Sequence, residues 1–165
     1  MLIGIISDTH NQSDRSERAL RKFRKLGVQA LLHCGDVTRP SMIEVLTDKS
    51  FPAYFVYGNN DDPGQLRPAI LNAGAFDLGY DGLVTLGNAR IGMTHGDNPR
   101  LLQKLAAQEP DYLLFGHSHI ATEFQQGPTR FINPGALHRA PKWTFATLDL
   151  ESATISWHEV SDDPN

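Results

Sequence analysis

A single cysteine in 165 residues excludes an intramolecular disulfide, and Cys34 alone cannot build a Cys-rich structural zinc site. A reducing compartment fits that economy. No apolar run approaches the roughly 20 residues of a membrane-spanning helix. The opening stretch, Met1-Leu2-Ile3-Gly4-Ile5-Ile6, lacks the basic segment of a signal peptide. Positive charge is not in excess: 15 Lys and Arg stand against 19 Asp and Glu, a formal net charge of −4. That balance disfavours a partner bound by phosphate neutralisation, and no cluster mixes aromatic and basic residues as single-strand binders do. Internal repeats and low-complexity segments are also missing. These absences predict a cytoplasmic protein with no membrane partner, disfavour a nucleic-acid partner, and are compatible with a homo-oligomer. A chain of 165 residues predicts one domain, residues 1–165, able to bury roughly 70% of its unfolded surface. Only the tail Ser161-Asp162-Asp163-Pro164-Asn165 is expected to fray.

What is present is a repeated design. The apolar run Tyr112-Leu113-Leu114-Phe115 has the length of a buried strand, and Gly116-His117-Ser118-His119 comes directly after it. Four more apolar runs end in polar clusters. Ile5-Ile6-Ser7 precedes Asp8-Thr9-His10, and Leu31-Leu32-His33-Cys34 precedes Gly35-Asp36. Phe55-Val56-Tyr57 precedes Gly58-Asn59-Asn60-Asp61, and Ile91-Gly92-Met93-Thr94 precedes His95-Gly96-Asp97. Open α/β sheets gather ligands at the carboxyl ends of their strands.

The elements between these clusters set the fold class. Strands are predicted at Leu2–Ser7, Ala30–Cys34 and Ala53–Tyr57, with helices at Asp14–Leu26, Ser41–Leu46 and from Pro63 to about Asn72. Asp14 is expected to cap the first helix, with Glu17 completing a capping box and Gly27 stopping it. The alternation predicts parallel pairing. Short strands at Ala75–Leu78, Leu83–Leu86 and Ala89–Thr94, separated by Gly79-Tyr80-Asp81-Gly82 and Gly87-Asn88, read as hairpins. Leu101–Gln108 reads as a helix stopped by Pro110. Further strands are predicted at Ala121–Gln125, Arg130–Asn133, Thr144–Leu150 and Thr154–Val160. An α/β chain of two packed mixed sheets with helices outside satisfies both halves.

The clusters supply two carboxylates, one amide oxygen and four imidazoles: Asp8, His10, Asp36, Asn59, His95, His117 and His119. Seven donors are generous for one ion and suit two metals sharing a carboxylate. Mixed N and O donors point to Mn, Fe, Zn, Co or Ni rather than Mg or Ca. Two such ions, about 3.5–4 Å apart, are the clamp used for in-line displacement at phosphorus.

The order Asp-x-His, Gly-Asp, Gly-Asn-x-Asp, His-Gly, Gly-His-x-His resembles the calcineurin-like metallophosphoesterases. Ser7-Asp8-Thr9-His10 and Asn133-Pro134-Gly135 resemble their small bacterial and archaeal phosphodiesterase branch. The resemblance runs from Leu2 to about Gly135. It implies a four-layer α/β/β/α sandwich, two divalent ions with manganese foremost, and phosphodiester hydrolysis of a small substrate by a metal-bridging hydroxide. It also implies one metal held by Asp8, His10, Asp36 and His119, and another by Asp36, Asn59, His95 and His117. Asp36 would bridge, and Asp36, Asn59 and His95 would carry the catalysis. Two positions depart from the wider family. Asn60 stands where larger phosphatases carry His, and Asp97 where many small relatives carry a second His; each removes an imidazole near the cleft. The small retromer subunit also resembles this family but serves as a scaffold with a degraded metal site. The intact ligand set argues against that reading here. A nuclease on the same site is a third reading, opposed by the charge balance.

Other polar residues have plainer expectations. His33, inside a strand run, reads as a satisfied core histidine, and His158 as structural. His138 is placed at the cleft rim. Asp97 reads as supporting or structural. Asp61 either orients a ligand or caps the helix opening at Pro63. The basic residues of the first helix read as a solvated face, with steering of an anionic substrate as the alternative.

Overall fold

The structure, a computed structural model, describes residues 1–47 and 49–160, so the fraying expected of Ser161–Asn165 lies outside the described residues. The chain forms β1 (Leu2–Ile6), α1 (Ser13–Leu26), β2 (Ala30–His33), α2 (Pro40–Leu46), β3 (Ala53–Phe55), α3 (Pro63–Asn72) and β4 (Phe76–Asp77). It continues with β5 (Asp81–Leu86), β6 (Ala89–Thr94), α4 (Pro99–Ala106), β7 (Tyr112–Leu114), β8 (Thr122–Gln126), β9 (Thr129–Asn133), β10 (Thr144–Asp149) and β11 (Thr154–Glu159). One sheet has the order β11-β10-β1-β2-β3-β4 and the other β5-β6-β7-β9-β8. Both are mixed: β1, β2, β3 and β4 run parallel, as do β6, β7 and β9, while β10, β11, β5 and β8 pair antiparallel.

Side-chain alternation sorts the layers. Ile3, Ile5, Ala30 and Leu32 face Ile91, Met93, Leu114 and Ile132 between the sheets. Ile6, Leu31 and Phe55 face the other way, against Leu20 and Phe23 of α1, Ile43 of α2 and Leu66 of α3. Leu105 of α4 covers Leu113 and Phe131 on the outside of the second sheet. The result is the four-layer α/β/β/α sandwich. Gly4 lets α1 approach: a Cβ there would lie 2.9 Å from the Phe23 ring.

Three local expectations change. Asp14 does not cap α1; Gln12 is the N-cap, with no side-chain hydrogen bond, and Asp14 sits in the first turn, where its charge suits the helix dipole. The far end agrees with expectation, with Gly27 left-handed and the N–H of Val28 bonded to Phe23 O at 3.0 Å. Residues 75–78 do not form a hairpin with β5. β4 adds in parallel to β3, where Phe76 stacks on Tyr54 at 4.6 Å, so residues 78–80 cross between the sheets and Asp81 and Gly82 already pair within β5. Gly87-Asn88 is the true hairpin turn, joining β5 to β6. α4 starts earlier than expected, at Pro99, because Asn98 accepts from the N–H of Arg100 at 3.0 Å and caps it.

The basic face of α1 is mostly exposed. Arg18 is half-buried, and so is Arg15. The Arg15 guanidinium lies 3.2 Å from the Trp143 ring centroid and donates to Leu137 O, which ties the helix to the loop after β9. No helix among the described residues is long and apolar enough to cross a membrane.

Candidate metal centre

The parallel registers of β1, β2 and β3, and of β6 and β7, bring the five polar clusters to one end of both sheets. Each cluster begins as its strand stops and the backbone bends sharply. Asp8, His10, Asp36, His117 and His119 all have positive φ, between 44° and 64°. Only four other non-glycine residues among the described ones share that conformation: Thr38, Glu109, Arg139 and Ala153. Such strain persists where the surroundings over-determine it, and it concentrates at functional sites.

Two glycines make room. A Cβ at Gly58 would fall 2.2 Å from Asp36 Oδ1, and one at Gly116 would fall 2.0 Å from Ser7 Oγ. Both positions exclude any side chain, so the glycines of these motifs are demanded by close approach.

The carboxylate of Asp8 is fully buried and divided in its duties. Oδ2 accepts from Ser7 Oγ at 2.6 Å and from the N–H of His117 at 3.1 Å. Oδ1 makes no hydrogen bond, although His119 Nε2 lies 3.0 Å away. The imidazoles explain why. His95 Nδ1 is 2.8 Å from Cys34 O, and His119 Nδ1 is 3.2 Å from Arg139 O. A carbonyl only accepts, so both Nδ1 atoms donate, and in the neutral form of either ring that leaves Nε2 as a bare lone pair. His95 Nε2 is buried and makes no hydrogen bond, yet stands 3.9 Å from Asp8 Oδ1 and 3.5 Å from Asp36 Oδ2. Three buried side-chain polar atoms are orphaned among the described residues, and two of them, Asp8 Oδ1 and His95 Nε2, face each other here. Acceptors turned on acceptors repel unless a cation lies among them. The donor set therefore fits divalent metal.

Two groups of potential ligands have all their donor atoms within 4.8 Å: Asp8, His10 and His119, and Asp8, Asp36 and His95. The family resemblance implies Asp36 as the shared carboxylate; in these two groups the shared residue is Asp8. Asp36 Oδ2 is nonetheless 3.5 Å from the Nε2 atoms of both His10 and His95. Its carboxylate also takes two hydrogen bonds from Asn60, 2.9 Å from the N–H and 2.7 Å from Nδ2. Burial raises the Asp36 pKa, but the Asn60 bonds and the nearby imidazoles outweigh it, and the carboxyl titrates below its ordinary range. Burial holds the His10 pKa down.

Asn59 and His117 are less drawn in. Both are exposed and line the cleft, and the His117 ring meets that of His95 edge-on at 5.2 Å. Neither side chain makes a hydrogen bond or ion pair with Asp8 or Asp36. His138 does stand at the cleft, its ring 4.4 Å from that of His10. Asp97 is exposed and outside the cleft lining. His33 is a fully buried, satisfied core histidine, bonded to Thr9 Oγ1 at 2.9 Å and to the N–H of Gly35 at 3.2 Å. His158 bonds Thr147 and stacks on Phe145.

Of the supporting residues, Asp61 and the Asn133-Pro134-Gly135 turn are within reach of the sequence, as a ligand-orienting or capping acid and as a rigid turn beside the site, whereas Arg139 is not. Asp61 does not cap α3; Asp62 does, accepting from the N–H of Gly64 at 2.9 Å. Asp61 instead gathers the N–H groups of Asp36, Thr38 and Gly58 at 2.8, 2.6 and 2.8 Å. It pins the strained Asp36 loop to the Asn59 loop. Asn133 donates to Gly116 O at 2.8 Å and to Ser118 Oγ at 3.0 Å, so the Asn133-Pro134-Gly135 turn braces the two-histidine loop. Arg139 is the least visible, since its place at the cleft depends on a loop after the last motif. Its positive φ of 46° is structural information that no residue pattern carries.

Comparison with known proteins agrees with this architecture. Residues 1–153 match the calcineurin-like phosphoesterase superfamily domain. A phosphodiesterase of Methanocaldococcus jannaschii is 26% identical over 138 residues, covering 82% of this chain and 83% of its own. Vacuolar protein sorting-associated protein 29 of Schizosaccharomyces pombe is 31% identical over 177 residues, covering 94% and 88%. The solved structure of an archaeal phosphodiesterase superposes with a TM-score of 0.88 at 24% identity, covering 97% of this chain and all of the other.

Proposed function

The chain belongs to the calcineurin-like phosphoesterase superfamily, and on that premise we propose that it hydrolyses small phosphodiesters at a binuclear metal centre. We infer that Asp8, His10, Asp36, Asn59, His95, His117 and His119 hold two divalent transition-metal ions, manganese foremost, with Fe, Zn, Ni and Co as alternatives. The observation that carries the reading is the pair of buried, unpaired acceptors, Asp8 Oδ1 and His95 Nε2, aimed at one another. The similarity to a named phosphodiesterase supports the diester class. A single buried free cysteine supports a reducing cytoplasm as the working compartment.

Bound divalent ions supply positive charge for the phosphoryl oxygens and lower the pKa of water at the site. The chain's own residues prepare that chemistry. Asp8 and Asp36 bring two negative charges into a largely buried wall. Cys34 O and Arg139 O fix the tautomers of His95 and His119, so both rings offer lone pairs without reorganisation. Asp61 and Asn133 hold the two strained loops, which keeps the donors in place before substrate arrives. Cys34 is no nucleophile, because burial pushes its thiol far up. Asn60 is committed to Asp36 and carries no proton to give at neutral pH. We infer that the leaving oxygen departs without help from that position.

The test is metal analysis of the protein reconstituted with manganese, joined to a phosphoester panel. Two ions per chain with diester turnover is the expected result. A second reading, a non-catalytic binding module on the same fold, comes from the identity to the fission-yeast vacuolar protein sorting-associated protein. Full metal loading with no turnover of any phosphoester would favour it.

A further inference from the structure

The cleft, about 320 Å³, is lined only by polar side chains, among them His10, Asn60, His138 and Arg139. Such a wall suits a phosphoryl group and offers the organic part of an ester no aliphatic surface. A second hollow of about 230 Å³ shares His119 with it and has the opposite character. Ile120, Ala121 and Pro141 line it, with Thr144 and Lys142. Ile120 is 62% exposed, so its side chain offers apolar surface at the edge of the polar centre. The Lys142 ammonium is 3.2 Å from Glu159 Oε2, so its charge is already answered. Resting on the phosphodiesterase reading above, we propose that this shelf is a substrate subsite that takes an aromatic ester group of the diester.

Continuity with the cleft selects that occupant. His119 borders both hollows, and its Nδ1 bond to Arg139 O ties the segment leading into Ile120 to the segment leading into Pro141. Both walls of the shelf are thus fixed to a proposed metal ligand. Charge agrees. Among the described residues no carboxylate pairs with the Arg139 guanidinium, which lines the cleft beside the shelf and suits the negative charge a phosphodiester keeps. An aromatic ring is flat enough for a shallow hollow, and covering Ile120 and Pro141 removes apolar surface from water. About 60 Å² so removed corresponds to roughly tenfold in affinity.

The experiment compares bis(p-nitrophenyl) phosphate with methyl p-nitrophenyl phosphate on the manganese-loaded protein. The leaving group is the same, and only the second ester group differs. The wild type should show a KM about tenfold lower for the diaryl compound. Ile120→Ser should bring the two within about twofold. Leu71→Ser, an exposed leucine on α3 away from the cleft, should keep the wild-type ratio. Binding of diphenyl phosphate against dimethyl phosphate, measured by calorimetry, reads the same preference without turnover. Equal affinity for both in the wild type, or an aryl preference that survives Ile120→Ser, would overturn the subsite. An aryl preference in binding that Ile120→Ser abolishes, in a protein that turns over no phosphoester, would uphold the subsite and sink the phosphodiesterase reading instead.

Discussion

His95 donates from Nδ1 to the carbonyl oxygen of Cys34 at 2.8 Å, and that bond turns the Nε2 lone pair toward the carboxylates of Asp8 and Asp36. The carbonyl ends one strand region of the first sheet, and the imidazole begins the loop after β6 in the second. One hydrogen bond across the sandwich therefore decides which nitrogen can bind metal. Its consequences can be measured.

Asp8 belongs to both ligand groups, while His119 belongs to one. Asp8→Asn should therefore lower manganese stoichiometry from two towards zero, and His119→Ala only towards one. Asp36→Asn should weaken both sites, since Asp36 Oδ2 lies equally close to His10 and His95. Elemental analysis after dialysis decides the matter. Two tightly held ions in Asp8→Asn would refute the assignment.

Asp61 accepts three backbone N–H groups around the Asp36 loop. Asp61→Ala leaves those donors without their partner, which should cost about 1–3 kcal/mol of stability. Asp36 should also lose its fixed position, so metal affinity should fall although Asp61 is no ligand. Urea unfolding of metal-free protein and manganese titration measure the two effects separately. An unchanged metal affinity would show that Asp36 needs no such clamp.

His33 titrates at about 3, driven down by burial first and by the neighbouring His95 second. In the unfolded chain it titrates near 6.5. The folded state therefore prefers the neutral ring. The unfolded state takes up a proton first as pH falls, so stability is fully present above about pH 6.5 and is lost below it, down to about pH 3. The loss is about 1.4 kcal/mol per pH unit, or about 2 kcal/mol between pH 6.5 and 5. His33→Asn should be less stable at neutral pH and should show a flatter profile in that window. Chelator-treated protein unfolded in urea at the two pH values provides the comparison, and equal slopes would contradict the expectation.

Asn60 gives its side-chain N–H to Asp36, and Asp97 lies outside the cleft lining. Neither protonates a leaving oxygen, a service worth about 10²–10⁴-fold elsewhere. Rates should fall steeply as leaving-group pKa rises across a series of phosphodiesters. Asn60→His should flatten the plot if the new imidazole reaches that oxygen. A flat plot for the wild type would mean that another group already donates the proton.

Much of this was legible in the residues. The apolar runs at Ile5, Leu31, Phe55, Ile91 and Leu113 marked buried strands, because strands covered on both faces need uninterrupted apolar residues. The Asp, Asn and His after each run marked where those strands end. Local chemistry of that kind survives any arrangement of the sheets. What only the tertiary structure decided depends on residues far apart in the chain. Asp61, before a proline-opened helix, reads equally as a cap or as a residue that orients a ligand, and the fold decides: Asp62 takes the cap and frees Asp61 to hold Asp36 from 25 residues away. Residues 75–78 look like half of a hairpin, yet the parallel edge beside β3 claims them through the Tyr54–Phe76 stack. The tautomers of His95 and His119 rest on carbonyls 61 and 20 residues distant. A sequence states which donors a chain owns. Which lone pairs are left bare is decided when the two sheets close over one another and each buried donor takes its one available acceptor.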